Sequence, residues 1–103
     1  MPMIQTPEIQ TEKPQLKKPP MYKVIMLNDD YTPMEFVVDL LCSLFRKSGD
    51  EASRIMLRIH HEGKAVCTVC PKDIAESKVA QVESYCEAHG HPLRCRIEVE
   101  SND

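Results

Sequence analysis

The sequence has little glycine and lacks the motifs on which common enzyme active sites are built. Only three glycines occur among 103 residues, and none of them belongs to a phosphate-binding loop. No serine stands in the G-x-S-x-G pattern of a nucleophile elbow. These absences give little support to catalysis.

Long apolar runs are also missing. No stretch approaches the roughly 20 apolar residues that a membrane-spanning helix needs, and the first twenty residues lack the apolar segment of a secretory signal. The cysteine count is five, an odd number. Without an export signal, this count fits reduced thiols better than a disulfide framework. We therefore expect a cytoplasmic protein.

Positive charge is scarce in the part of the chain that we expect to fold. The net charge is −3, and after residue 20 ten basic residues stand against fourteen acidic ones. Nucleic-acid binding needs a concentrated basic surface, and membrane-surface binding needs a polybasic amphipathic helix. The sequence therefore predicts neither a nucleic-acid partner nor a membrane partner.

Proline marks the boundary of the folded part. Five of the eight prolines lie in the first twenty residues, a segment without aromatic side chains or a periodic apolar face. Such a composition is typical of a disordered extension. We predict a flexible N-terminal tail over residues 1–20 and a single domain over residues 21–103.

Apolar periodicity predicts three strands and three helices in this domain. The strands are expected at residues 22–27, 65–70 and 93–99. The helices are expected from Pro33 to Ser48-Gly49, from Ser48 or Asp50 to Gly63, and from Pro71 to Gly90. Short links in the order β-α-α-β-α-β favour an α+β fold, in which a small three-stranded antiparallel sheet is covered by three helices.

A short polar loop joins the first strand to the first helix. It contains Asn28, Asp29 and Asp30, and Thr32-Pro33 follows as a typical helix start, with Thr32 as the N-cap and Pro33 as the first helical residue. The loop is rich in acceptors, so it would suit a metal ion or an ammonium group. An ordinary turn is the alternative.

His60 is predicted to close the second helix. If the first two helices form an antiparallel pair, the start of one lies near the end of the other, and His60 comes within reach of the polar loop. A histidine at a helix C-terminus is also favoured by the helix dipole alone. The pattern is informative only if His60 and the loop converge.

Two other groups could bind a metal. Cys67 and Cys70 have a spacing seen in zinc and redox sites. Residues i and i+3 of a strand point to opposite faces, so we expect structural thiols. His89-Gly90-His91 could also hold a metal ion, and a zinc module stays an alternative.

A set of motifs spread along the chain has a counterpart in a known family. The motifs are Lys18-Pro19-Pro20-Met21-Tyr22-Lys23-Val24-Ile25, Asn28-Asp29-Asp30-Tyr31-Thr32-Pro33-Met34-Glu35-Phe36-Val37, Met56-Leu57, His60, Gly63-Lys64-Ala65 and His91-Pro92-Leu93. Together they resemble ClpS, the bacterial adaptor that feeds N-degron substrates to the Clp protease. The likeness covers residues 18–100.

This resemblance implies an adaptor without catalytic activity or a cofactor. Substrates that begin with Leu, Phe, Tyr or Trp would be bound and presented to a ClpA-type AAA+ unfoldase. The unfoldase would engage the adaptor's N-terminal tail during substrate transfer. We expect the adaptor to be a monomer. The residues implied to hold the substrate's α-amino group are Asn28, Asp29, Asp30 and His60. The residues implied to line the side-chain pocket are Thr32, Met34, Val37, Met56, Ile59 and Leu93, with Met34 excluding β-branched residues. The residues implied to dock the unfoldase are Asp73, Glu76 and Lys78.

Other functions stay open on the residues alone. A metal-dependent hydrolase could use Asp29, Asp30 and His60, and would lose turnover with a chelator. A zinc module would hold stoichiometric metal. A scaffolding domain would bind the unfoldase but no N-terminal peptide.

Overall fold

The computed structural model describes residues 19–100, and its six elements follow the predicted order. Strands β1, β2 and β3 comprise Met21–Leu27, Lys64–Pro71 and Arg94–Val99. Helices α1, α2 and α3 comprise Met34–Leu44, Gly49–Glu62 and Lys72–Ala88. The predicted flexible tail lies outside the described residues except for Pro19 and Pro20, which are exposed and belong to no helix or strand.

The sheet has β1 at its centre, with β2 and β3 paired antiparallel on either side. Val24 and Met26 of β1 are fully buried in one apolar core. All three helices contribute to that core, through Leu40, Ala52 and Val82 among others. The predicted α+β fold is therefore confirmed. Between residues 19 and 100, the structure contains no helix with the length and apolar character to cross a membrane.

Strand β2 contains a β-bulge. The register shifts between the partners of Val24 and Ile25, so that Cys67 is an extra residue on β2. The bulge changes the phase of the alternation, and Cys67 and Cys70 both belong to the apolar core. The prediction that these two cysteines point to opposite faces is therefore wrong, because it assumed an unbroken strand.

The five cysteines are free, and four of them are buried. Burial raises the pKa of the Cys67 thiol to about 12 and the pKa values of the Cys86 and Cys95 thiols to about 11. The thiolate is the reactive form of cysteine, so these buried thiols are poor nucleophiles. Cys67, Cys86 and Cys95 therefore act as small apolar side chains of the core. For Cys67, this agrees with the predicted structural role.

The start of α1 differs from the prediction by one residue. Pro33 is the N-cap and has extended backbone angles, with φ −64° and ψ 144°. Its carbonyl accepts the N–H groups of Phe36 and Val37 at 3.1 and 3.2 Å. Thr32 therefore does not cap the helix, and its hydroxyl is bonded within the preceding loop.

The end of α1 is earlier than predicted. The helix stops at Leu44 because Arg46 adopts the left-handed conformation, with φ 56°. This reversal leads directly to Ser48, which caps α2 as expected: its hydroxyl oxygen accepts the Glu51 N–H at 3.1 Å. The apolar periodicity alone could not reveal a change of backbone direction at an arginine.

Candidate functional site

The end of β1 and the end of α2 are bonded to each other. Gly63 ends α2 in the left-handed conformation, with φ 90°, and leads into β2 in a single residue. Its carbonyl accepts the Asn28 N–H at 2.9 Å, while Leu27 pairs with Lys64. His60, in the last turn of α2, is therefore brought to the polar loop, and the convergence on which its functional interpretation depends is present.

Asp29 organises the polar loop. Its Oδ1 atom accepts the N–H groups of Tyr31 and Thr32, each at 2.8 Å, which is the local bonding that aspartate favours in turns. A carboxylate offers about four lone-pair sites, so the Oδ2 atom keeps acceptor capacity beyond its bond to the Thr32 hydroxyl. Asp29 thus fixes the loop and still presents negative charge. Only the second role was predicted from the sequence.

The loop, the start of α1, the end of α2 and the link before β3 enclose a cavity of about 340 Å³. We call it the substrate cavity after the role that we propose for it below. The residues that line it are Asn28, Asp29, Asp30, Tyr31, Thr32, Pro33, Met34, Val37, Met56, Ile59, His60 and Leu93. All ten residues predicted for the amino group and the side-chain pocket are among them. Tyr31 and Pro33 were missed, although they stand within the motif that suggested the site.

The substrate cavity is polar at its exposed side and apolar at its buried side. Asn28, Asp30 and His60 are exposed, whereas Ile59 and Leu93 are each only 3% exposed. The arrangement therefore places acceptors beside an apolar interior. Such a cavity can bind a molecule in which a cationic group is attached to an apolar one.

The metal alternatives lack a ligand set in the part of the chain that the structure describes. Asp29, Asp30 and His60 line the same cavity, yet within residues 19–100 no three His, Cys, Asp or Glu side chains form a group that could hold a metal ion. Within the same residues, His89 and His91 likewise belong to no such group. The polar end of the cavity is suited to hydrogen-bond donors rather than to a metal ion.

The three residues predicted to dock an unfoldase differ in exposure and in bonding. Asp73 and Glu76 are exposed and lie one helical turn apart on α3. Lys78 is half-buried: its Nζ donates to the Leu44 carbonyl at 2.7 Å and lies 5.8 Å from the centroid of the Phe45 ring. A cation at a helix C-terminus stabilises that helix. Lys78 therefore has a structural role that the two acidic residues do not share.

Comparison with known proteins decides the family. A family profile described as "ATP-dependent Clp protease adaptor protein ClpS" matches residues 17–96. The chain belongs to the ClpS family. Relatives named ATP-dependent Clp protease adapter protein ClpS include one from Rhodospirillum centenum, 56% identical over 78 residues, which are 76% of this chain and 72% of the relative. Another, from Shewanella loihica, is 55% identical over 78 residues, 76% of each chain.

A solved structure of the ClpS family also matches. It is Agrobacterium tumefaciens ClpS2 bound to L-phenylalaninamide, with a TM-score of 0.78 and 44% sequence identity, covering 81% of this chain and all of that one. ClpS proteins are adaptors and not catalysts. The protein is accordingly an adaptor of the Clp protease rather than an enzyme, and the family implied by its motifs is confirmed.

Proposed function

We propose that the protein binds substrates with a free N-terminal Leu, Phe, Tyr or Trp and delivers them to a ClpA-type unfoldase of the Clp protease. The observation that carries this proposal is the substrate cavity, in which an acceptor-rich end adjoins an apolar interior. A relative of the same fold is bound to L-phenylalaninamide. That ligand has a free α-amino group and a neutral carboxamide, as the first residue of a polypeptide does.

The α-amino group would be held at the polar end. An ammonium group has three N–H donors, and suitable acceptors are the side-chain oxygen of Asn28, Oδ2 of Asp29 and a neutral ring nitrogen of His60, with the negative charge of Asp30 close by. Hydrogen bonds to a charged group contribute about 1.5–3 kcal/mol each. An acetylated N-terminus has lost both the charge and two donors. It would leave Asp29 without its cation, so it should be rejected.

The first side chain would enter the apolar interior. Val37, Ile59 and Leu93 are buried there, and Thr32 and Met56 complete the wall. Burying a Leu or Phe side chain contributes about 1.5–3 kcal/mol, against association losses of at least roughly 4 kcal/mol. Affinity should therefore be about micromolar.

Met34 is the residue we propose as the gate. Its side chain lines the substrate cavity yet remains 44% exposed, which places it toward the solvent side of the cavity. A second substituent on the substrate's Cβ atom would meet it there. Ile and Val should therefore bind more weakly than Leu, although they are similarly apolar.

Delivery would use a separate surface. We propose that Asp73, Glu76 and Lys78 contact the unfoldase, and that residues 1–17 act in the transfer of the substrate. Deletion of residues 1–17 should leave peptide binding intact while slowing degradation of a reporter that begins with Phe. The free thiols suit a reducing compartment, so we infer that the protein acts in the cytoplasm. We also infer that it is a monomer.

The test uses fluorescence anisotropy with three labelled ten-residue peptides. They differ only at the start, which is Leu, Ile or Nα-acetyl-Leu. The Leu peptide should bind at about micromolar strength, and the other two should bind at least about tenfold more weakly. Equal binding of all three, or no binding of any, would refute N-terminal recognition.

A further inference from the structure

A second cavity shares one lining residue with the substrate cavity. It has a volume of about 310 Å³ and is here called the side cavity. Its lining residues, from α3 and from the link to β3, are Glu83, Cys86, Glu87, His91, Pro92, Leu93 and Arg94. Among the described residues, Leu93 is the one that lines both cavities.

Leu93 fills the space between the two cavities. It is only 3% exposed and belongs to the apolar core, although there is free volume on both sides of it. Its position is fixed, because the next residue, Arg94, pairs with Leu27 at the end of β1. That pairing holds Leu93 close to the polar loop, which begins at Asn28.

The side cavity is acidic, whereas the wall that faces the substrate is apolar. Glu83 and Glu87 lie four residues apart on one face of α3 and are exposed. Neither takes part in an ion pair among residues 19–100. Arg94 is the single Lys or Arg of the lining. Two carboxylates therefore stand at the far side of Leu93 and are accessible to water.

Two buried thiols lie between carboxylates of the two cavities. Burial raises the pKa of the Cys86 thiol to about 11, and the charge of Asp29 adds to that rise. Burial likewise raises the pKa of Cys95 to about 11, with the charge of Glu83 as the next cause. Leu93, which lines both cavities, thus stands between two regions that contain carboxylates.

We propose that Leu93 is a specificity-determining partition, which excludes Lys and Arg from the substrate cavity by closing off the acidic side cavity. This inference rests on the proposed function. Lys and Arg have long apolar stems and charged heads. With Leu93 in place, the head would end against an apolar wall and lose its hydration without compensation. With a shorter residue, the stem would replace the leucine and the head would reach Glu83 and Glu87.

The experiment compares peptides that begin with Leu and with Arg and are otherwise identical. The wild-type protein should bind the Leu peptide and not the Arg peptide. Leu93→Ala should weaken Leu binding at least about tenfold and strengthen Arg binding at least about tenfold. In the triple variant Leu93→Ala, Glu83→Gln, Glu87→Gln, the Arg gain should vanish, while affinity for the Leu peptide stays at that of Leu93→Ala.

Ile59→Ala is the matched control. Ile59 has the same 3% exposure and lines the substrate cavity, but it does not line the side cavity. It should lose Leu binding without gaining Arg binding. An equal Arg gain in Ile59→Ala would overturn the partition, because it would show that any enlargement suffices.

Folding of each variant is checked by circular dichroism and thermal melting. If Leu93→Ala does not fold, Leu93→Val takes its place, with a smaller gain expected for Arg because less of the side chain is removed. A folded variant that still rejects the Arg peptide overturns this inference and leaves the proposed function standing. Failure of the wild-type protein to bind the Leu peptide overturns both.

Discussion

The hydroxyl of Thr32 donates to both carboxylate oxygens of Asp29, at 2.8 Å from Oδ2 and 3.1 Å from Oδ1. With the two backbone N–H groups that also bond to Oδ1, the donors of the polar loop converge on one side chain. Substitution of Asp29 would therefore remove the anchor of the loop together with its charge. Thr32 and His60 allow these two effects to be separated.

Thr32→Val should weaken both the loop and ligand binding. The substitution keeps the shape of the side chain and removes its hydroxyl, so the free energy of unfolding should fall by about 1 kcal/mol. Binding of the Leu peptide should weaken about threefold to tenfold, because Oδ2 of Asp29 loses the bond that orients it, while the two backbone bonds to Oδ1 remain. Urea unfolding and anisotropy measure the two effects. Thr32→Ser, which retains the donor, should stay close to wild type; wild-type affinity in Thr32→Val would disprove this role.

His60→Ala should weaken binding of the Leu peptide at least about tenfold without changing the melting temperature. His60 is exposed, and its side chain forms no hydrogen bond within residues 19–100, so its removal costs acceptor capacity rather than stability. His61→Ala is a close control, since its ring is 5.4 Å from the His60 ring but does not line the substrate cavity. Similar losses in the two variants would contradict a direct contact between His60 and the amino group.

Lys78→Met should destabilise the domain by about 1–2 kcal/mol, because the Leu44 carbonyl loses a charged donor at the end of α1. Peptide affinity should be unchanged, since Lys78 is not among the residues that line the substrate cavity. Urea unfolding measures the loss, and Lys72→Met, at an exposed position of the same helix, should cost less than about 0.5 kcal/mol. Unchanged stability of Lys78→Met would contradict the structural role of Lys78. An unfoldase-binding assay on this variant is meaningful only where the variant is folded.

Stability should fall at alkaline pH. Burial holds the pKa of Cys67 at about 12, against 9 for an ordinary thiol, so the unfolded chain loses this proton before the folded protein does. The contribution is fully present below pH 9 and declines as the pH rises toward 12. From pH 8 to pH 10, the thiol alone should lower the free energy of unfolding by about 1 kcal/mol.

The measurement is urea unfolding at both pH values with a reductant present. Cys67→Ala should reduce the pH dependence by that amount, whereas Cys42→Ala, at a half-buried position, should retain the dependence due to Cys67. An unaltered slope in Cys67→Ala would exclude the buried thiol as its cause.

Most of the fold could be predicted because its signals are local. The caps of α2 depend on neighbouring residues only: Gly63 was confirmed, and Ser48 proved to be the cap rather than Asp50. The errors arose where distant or unexpected partners decide the backbone. Cys67 becomes the extra residue of a bulge through its pairing with β1, and Arg46 adopts a left-handed conformation that arginine rarely takes.

The residues of the candidate site could be predicted from the sequence, but the contacts that hold them in place could not. The ten residues implied by the family motifs line one cavity, since the motifs preserve which side chains face it. The role of Asp29 within the loop, and the volume behind Leu93, depend on atomic positions that no spacing of residues encodes. Lys78 illustrates the same limit, because its partner Leu44 lies 34 residues away in the chain.

The bond between Asn28 and Gly63 has a kinetic consequence. A single glycine joins α2 to β2, and its carbonyl accepts the Asn28 N–H, so the polar loop and the last turn of α2 are tied together at this point. If these two elements hold the substrate's amino group as we propose, a bound N-terminus would leave by dissociation rather than by their separation. Transfer of a tightly held substrate would then require mechanical pulling by the receiving machine or capture of the peptide in the interval after it dissociates.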